Sequence, residues 1–236
     1  FWPGGDRDGN PFVTAEITLR VANRLRSSIL NKYYEEIRAL KRKLTFRGVY
    51  EKLKSIEISL LKSIYSEGSP EISADEFISA LREICVTVKN NYKSIYLKDV
   101  EKLLTTVSIF RYHFASLDIR QDSSVHRGVV REILLGLGRY EEYSSLDDDK
   151  KSFFLKEAVL PGIEYSGDNE EVRETLQCIR TIRDIQELNG EKGCNRYIIS
   201  NCGSETDLPE LLFLFVYAGW SSDEVTVDFI PLFETI

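Results

Sequence analysis

Methionine is absent from the 236 residues, an unusual composition that by itself excludes no function. A basic tract is also missing. Acidic residues outnumber basic ones 38 to 31, for a net charge of −7, so nucleic acid is not an expected partner. The longest apolar stretch, Leu211 to Ala218, is far short of the roughly 20 residues that cross a bilayer. With no targeting pattern either, no membrane association is expected. The four cysteines (Cys85, Cys178, Cys194, Cys202) have no CxxC spacing; they read as reduced thiols and point to the cytoplasm. Repeats and low-complexity tracts are lacking. Phe1-Trp2-Pro3 offers no initiator, and Leu232-Phe233-Glu234-Thr235-Ile236 stops straight after an apolar run, so both ends are expected to be cuts within a longer protein.

What is present is a 42% apolar share, enough to build a core. Ile17, Val21, Leu25, Ile29, Tyr33, Ile37, Leu40 and Leu44 recur at steps of three and four, the spacing of one face of a long helix. A second helix is expected on Val49 to Ile64, broken by Gly68-Ser69-Pro70. A third opens on Ser73 and Glu76, spaced as a capping box, and runs to Ile95; a fourth covers Leu97 to Phe110. The pattern then changes. Phe114 to Ile119 reads as a strand, followed by helices on Val125 to Leu137, Asp149 to Ala158 and Val172 to Leu188. A strand on Arg196 to Ser200, a helix on Ser204 to Ala218 and a strand on Val225 to Ile230 complete a βαβ pattern. The expected fold class is mostly α with parallel α/β-barrel elements, a partial TIM-type barrel with extensive added helices. Its divisions are a glycine-rich loop (1–14), a helical region (15–112) and barrel elements (113–236).

Barrel chemistry sits at the C-terminal ends of strands, which directs attention to Arg120 with Gln121, Ser200 with Asn201, and Glu234. Arg120 offers a planar fork suited to phosphate or carboxylate; an ion pair with Asp118 or Asp122 explains it equally well. Glu234 has the oxygen chemistry of a Mg²⁺ ligand, although an exposed loop acid is the simpler reading of a lone carboxylate. The loop "GGDRDGNP" (Gly4 to Pro11) is either ligand-facing or a rigid turn. It fits an EF-hand poorly, since Pro11 and Ile17 stand where glycine and glutamate are required. His126 reads as a capping or surface histidine and His113 as a packed one.

Taken together and in this order, "WPGGDRDGNPFVT" (Trp2 to Thr14), "LDIRQDSSVH" (Leu117 to His126), "RYIIS" (Arg196 to Ser200) and "DFIPLFETI" (Asp228 to Ile236) resemble the signature stretches of the phosphoenolpyruvate carboxylase family. Pro3 and Asn201-Cys202-Gly203 depart from its usual pattern. The resemblance implies carboxylation of phosphoenolpyruvate with bicarbonate to oxaloacetate and phosphate, with Mg²⁺ or Mn²⁺ as cofactor, in a homotetramer. It implies that Arg120 is catalytic and binds the substrate phosphate, that Trp2 and Leu232 line the pocket holding carbon dioxide, and that Glu234 is a metal ligand. It also implies what the chain does not carry: two histidine motifs, the second metal carboxylate and the inhibitor-binding tail. The competing reading is a non-catalytic α-helical interaction or scaffold module, in which Arg120 and Glu234 are surface charges.

Overall fold

The computed structural model describes residues 1–10, 12–66, 68–158 and 165–234. Pro11, Thr235 and Ile236, which belong to the motifs quoted above, lie outside the described residues. The chain divides into two compact units, Phe1–Val21 with Ser116–Gln186 and Cys194–Ile236, and Ala22–Ala115 with Glu187–Gly193.

The helical unit is built on α1 (Ala15–Lys43), whose first turns belong to the other unit, with α2 (Val49–Tyr65), α3 (Ala74–Asn91) and α4 (Leu97–Phe110). The expected stripe on α1 is buried from Ile29 onward, Ile17, Val21 and Leu25 being only partly buried: Ile29, Tyr33, Ile37, Leu40 and Leu44 join Leu53, Leu60, Phe77, Leu81, Ile84, Val100 and Val107 in one core. Tyr33 is fully buried there, edge-on to Phe77 with centroids 5.7 Å apart, and its hydroxyl donates to the Arg111 carbonyl at 2.8 Å. The capping box of α3 forms as spaced, with Glu76 N donating to Ser73 Oγ at 3.1 Å and Ser73 N to Glu76 Oε2 at 2.8 Å. This helix ends earlier than Ile95, because Lys93, Ser94 and Tyr96 all take positive φ and no α-helix continues through that region.

The second unit holds β1 (Asp118–Asp122), β2 (Arg196–Ser200) and β3 (Asp228–Pro231), parallel and in the order β1-β2-β3. Arg120, Ile198 and Ile230 stand in register across it. Between β1 and β2 the chain forms α5 (Ser123–Gly136), α6 (Tyr140–Ser144), α7 (Asp148–Ala158) and α8 (Glu170–Asn189); α9 (Asp207–Tyr217) links β2 to β3. Ile119, Tyr197, Ile199, Leu211, Leu214 and Phe215 form the buried interior. The mostly helical, parallel α/β class read from the sequence is what is found, with differences at the edges. The first strand begins at Asp118 rather than Phe114, because Phe114 sits at φ 61° and the Ala115 amide turns back onto the His113 carbonyl. Helix α9 begins at Asp207, whose Oδ2 accepts from both Gly203 N and Ser204 N at 2.9 Å. The short α6 was not expected from periodicity, since five residues cannot display a 3.6-residue pattern.

Candidate functional site

The opening loop lies along β1 as a further parallel rail. Arg120 N donates to Gly5 O at 2.8 Å, Arg7 N to Arg120 O at 2.9 Å, and Asp118 N to Phe1 O at 3.2 Å. The two glycines have separate reasons to be glycine. Gly4 sits at φ +84°, and a Cβ on Gly5 would stand 2.1 Å from the Asp118 carbonyl oxygen, so only a residue without a side chain allows the rail to approach. Successive side chains of an extended segment point to opposite sides, which separates Asp6 and Asp8 from Arg7 between them.

On one side, Asp6 and Asp8 meet Arg120. Its Nε donates to Asp8 Oδ2 at 2.7 Å and its Nη2 to Glu234 Oε1 at 3.1 Å, with Asp6 Oδ1 3.9 Å from Nε. Burial pushes the Asp8 carboxyl up, but hydrogen bonding from Asp6, Ser200 and Arg120 outweighs it and leaves Asp8 below the ordinary carboxylate range. Asp6 is raised, first by its hydrogen bond with Asp8; two adjacent carboxylates resist ionising together. Ser200, at the end of β2, has a buried hydroxyl beside Asp8 that completes no hydrogen bond of regular geometry.

On the other side, the Arg7 guanidinium is almost wholly buried and donates to Glu174 Oε1 of α8 at 3.2 Å. The same oxygen accepts from Ala15 N, the first residue of α1, at 2.5 Å. One carboxylate thus ties the middle of the loop to its far end.

Among the residues singled out from sequence, Arg120 meets Glu234 and Asp8, with Ser200 at the end of β2 beside Asp8; Arg120 itself lies in the middle of β1, not past a strand end as expected. Leu232 continues the ladder past β3, its N donating to Ile199 O at 2.9 Å and its carbonyl accepting from Cys202 N at 3.0 Å. Trp2 is 59% exposed, and its carbonyl closes the glycine turn by accepting from Gly5 N and Asp6 N. The expected partners of Arg120 are corrected. Asp118 pairs with Arg196 at 2.7 Å, while Asp122 accepts from Ser124 N and from Asn201 Nδ2, so neither carboxylate is free for Arg120. The calcium-loop alternative is displaced as well, because Asp6 and Asp8 gather around a guanidinium. His126 is neither surface nor cap: the cap of α5 is Asp122, and His126 is fully buried with Nε2 3.0 Å from the Tyr197 hydroxyl. His113 is packed, as expected.

Sequence reasoning missed Asp8 as the orienting partner of Arg120, and Glu174 as the anchor of the loop. The available signal for Glu174 was its spacing: it lies four residues before Cys178 and eight before Ile182, both buried, which sets a charge at the margin of an apolar face.

Comparison with known proteins bears on this geometry. The sequence model of the family described as "Phosphoenolpyruvate carboxylase" matches residues 1–67 and 56–236. A curated phosphoenolpyruvate carboxylase from Rhodothermus marinus is 30% identical over 295 residues, an alignment covering 100% of this chain and 31% of the relative. The chain therefore spans about a third of the length of that relative, and the family match extends through both of its compact units. It belongs to the phosphoenolpyruvate carboxylase family.

Proposed function

We propose that this chain supplies the phosphate-binding side of a phosphoenolpyruvate carboxylase active site, in an enzyme that joins bicarbonate to phosphoenolpyruvate to give oxaloacetate and phosphate. The observation that carries the reading is the Arg120 fork, which projects from the middle of β1, is held by Asp8 and reaches Glu234 just past β3. A guanidinium oriented through Nε presents its remaining N–H groups as a planar pair, which suits a phosphoryl group. Phosphoryl transfer depends on such positioning and on stabilising charge as it moves. Trp2 and Leu232 supply apolar surface for carbon dioxide, where exclusion of water protects the enolate.

Glu234 offers one oxygen of the kind that Mg²⁺ or Mn²⁺ takes. A lone carboxylate already engaged by Arg120 does not make a metal site, and with no group of three ligands among the described residues, this chain alone does not fit the ion. No step of the reading depends on one. Three parallel strands linked by helices support completion of the sheet as a TIM-type barrel by further chain; the family resemblance implies a homotetramer, and the scattered free thiols a cytoplasmic setting. The loop at 1–14, the helical region and the barrel elements from 113 onward are then parts of one enzyme. The two catalytic histidine motifs are absent, so the 236 residues alone should form no oxaloacetate.

The experiment is Arg120→Lys in the complete enzyme carrying this sequence. Lysine keeps the charge and loses the fork, so kcat should fall about 10² to 10³-fold, with a raised KM for phosphoenolpyruvate. Normal kinetics with a lowered Tm would show instead that Arg120 serves only to cross-link the loop and β3.

A further inference from the structure

Among the described residues, only three main-chain hydrogen bonds join the opening loop to β1, and two of them are made by Arg120 itself, from its N–H to Gly5 O and to its carbonyl from Arg7 N. A glycine-rich rail with so little pairing specifies its register weakly. A slip of one residue would turn the side chains of Asp6 and Asp8 away from Arg120. Arg7 would come round in their place, setting one guanidinium against another.

The side chain of Arg7 opposes that slip. It leaves the loop on the side away from Asp8 and is almost wholly buried, with Nη1 3.2 Å from Glu174 Oε1. Cys178, one turn along α8 from Glu174, and Tyr197 on β2 are its other neighbours, both buried. The Tyr197 hydroxyl is in turn 3.0 Å from Nε2 of His126 on α5. The seat of the guanidinium is therefore built by α8, β2 and α5, none of which belongs to the loop. A buried charge is not withdrawn from such a seat without stranding Glu174, and the same Glu174 oxygen also holds the Ala15 amide at the loop's far end.

We propose that Arg7 and Glu174 are positioning residues for the carboxylation: their sheltered ion pair pins the loop in the one register that sets Asp8 against Nε of Arg120. The inference rests on the reading of Arg120 as a phosphate clamp. Both residues act from the side of the loop opposite Asp8, and their influence passes through the Asp8 carboxylate, 2.7 Å from Nε, to the plane of the guanidinium. With the register loosened, the fork loses the carboxylate that sets its plane. A misplacement of about 1 Å originating far from the chemistry can lower the rate by as much as about 10²-fold.

The test uses the complete enzyme carrying this sequence, assayed well below the Tm of each variant so that lost stability does not register as lost activity. Arg7→Ala with Glu174→Ala removes the pair without stranding either charge, and kcat/KM for phosphoenolpyruvate should fall about 10- to 10²-fold. Glu174→Gln retains an acceptor oxygen for both Arg7 and the Ala15 amide and should keep most of the activity. Should the double alanine variant fail to fold, Glu174→Asp, which keeps the charge and withdraws it by one methylene, should show a smaller loss in the same direction. In an Arg120→Lys background the double alanine change should add little, since the fork that it orients is already gone. Wild-type kcat/KM in the double alanine variant, or in Glu174→Asp where that variant does not fold, would overturn the proposal. So would a Glu174→Gln enzyme as impaired as Glu174→Ala, or a full further loss in the Arg120→Lys background. Normal kinetics in Arg120→Lys alone is a separate result, which removes the phosphate-clamp reading and the positioning role with it.

Discussion

Removing Glu174 should release the loop that holds Asp6 and Asp8. The Arg7 guanidinium is only 7% exposed, so Glu174→Ala leaves a buried charge with little water to replace its partner. Breaking such a pair from one side costs about 3 to 5 kcal/mol. Glu174 is itself 29% exposed, which favours the lower end, and the Ala15 amide loses its acceptor at the start of α1, about 1 kcal/mol more. A loss of about 4 kcal/mol corresponds to a Tm decrease on the order of 10 °C, at about 2–4 °C per kcal/mol for chains of this size. The two compact units need not melt together, so thermal unfolding should be paired with amide exchange. Arg7 N–H and Arg120 N–H, which join the loop to β1, should exchange faster in the variant, while Tyr197 and Ile199 keep their order of protection. The double replacement Arg7→Met with Glu174→Leu removes both charges and should recover most of the loss. A Tm change under about 2 °C, unaltered exchange at the two amides, or a double variant as unstable as the sum of the singles would refute the argument.

Two further outcomes are expected. Burial pushes His126 down to about 4 from 6.5, so between those values the unfolded chain binds more protons and stability rises with pH; Glu210, pushed up to about 7 from 4.5, makes stability fall as pH rises over its own range. The two slopes oppose each other from about pH 4.5 to 6.5, and Glu210→Gln should uncover the His126 slope, roughly 1.4 kcal/mol per pH unit in urea unfolding; a variant with the wild-type profile would count against it. Ser73→Ala removes the side-chain half of the α3 capping box and should cost about 1 kcal/mol, read as a lowered urea midpoint with an unchanged m-value, and no change would mean that the helix start is held by packing alone.

The legibility of the chain followed the range of the interactions involved. Helices α1 to α4 were readable because their apolar positions repeat locally, and the capping box of α3 because both of its members lie within four residues. The strands were placed in outline but not at their edges, since Phe114 to Leu117 have strand-like composition and a turn geometry that only the His113 carbonyl reveals. Arg120 was legible as a guanidinium beside a strand, although it lies within β1 rather than past its end, and its partners were not legible. Asp118 and Asp122 are its neighbours in sequence, but in a strand the side chains at i and i±2 point the same way about 6 to 7 Å apart, and each found a nearer partner. Asp8 lies 112 positions away and Glu234 lies 114 away; only parallel pairing brings them within reach. His126 was misread for the same reason, its determining contact from α5 being Tyr197 on β2.

The unequal environments of the two partners of Arg120 matter more to the proposed reading than their number. Asp8 is 12% exposed and sits 2.7 Å from Nε, whereas Glu234 is 37% exposed and sits 3.1 Å from Nη2. An exposed ion pair contributes about 0 to 1 kcal/mol, and a charge-assisted bond at a sheltered site contributes more. An incoming phosphoryl group would therefore displace Glu234 from the Nη edge at small cost while Asp8 continues to fix the plane of the guanidinium. The site is arranged with one partner that orients and one that can yield. Arg120→Lys cannot preserve this division, because a single ammonium held by Asp8 has no second nitrogen to offer.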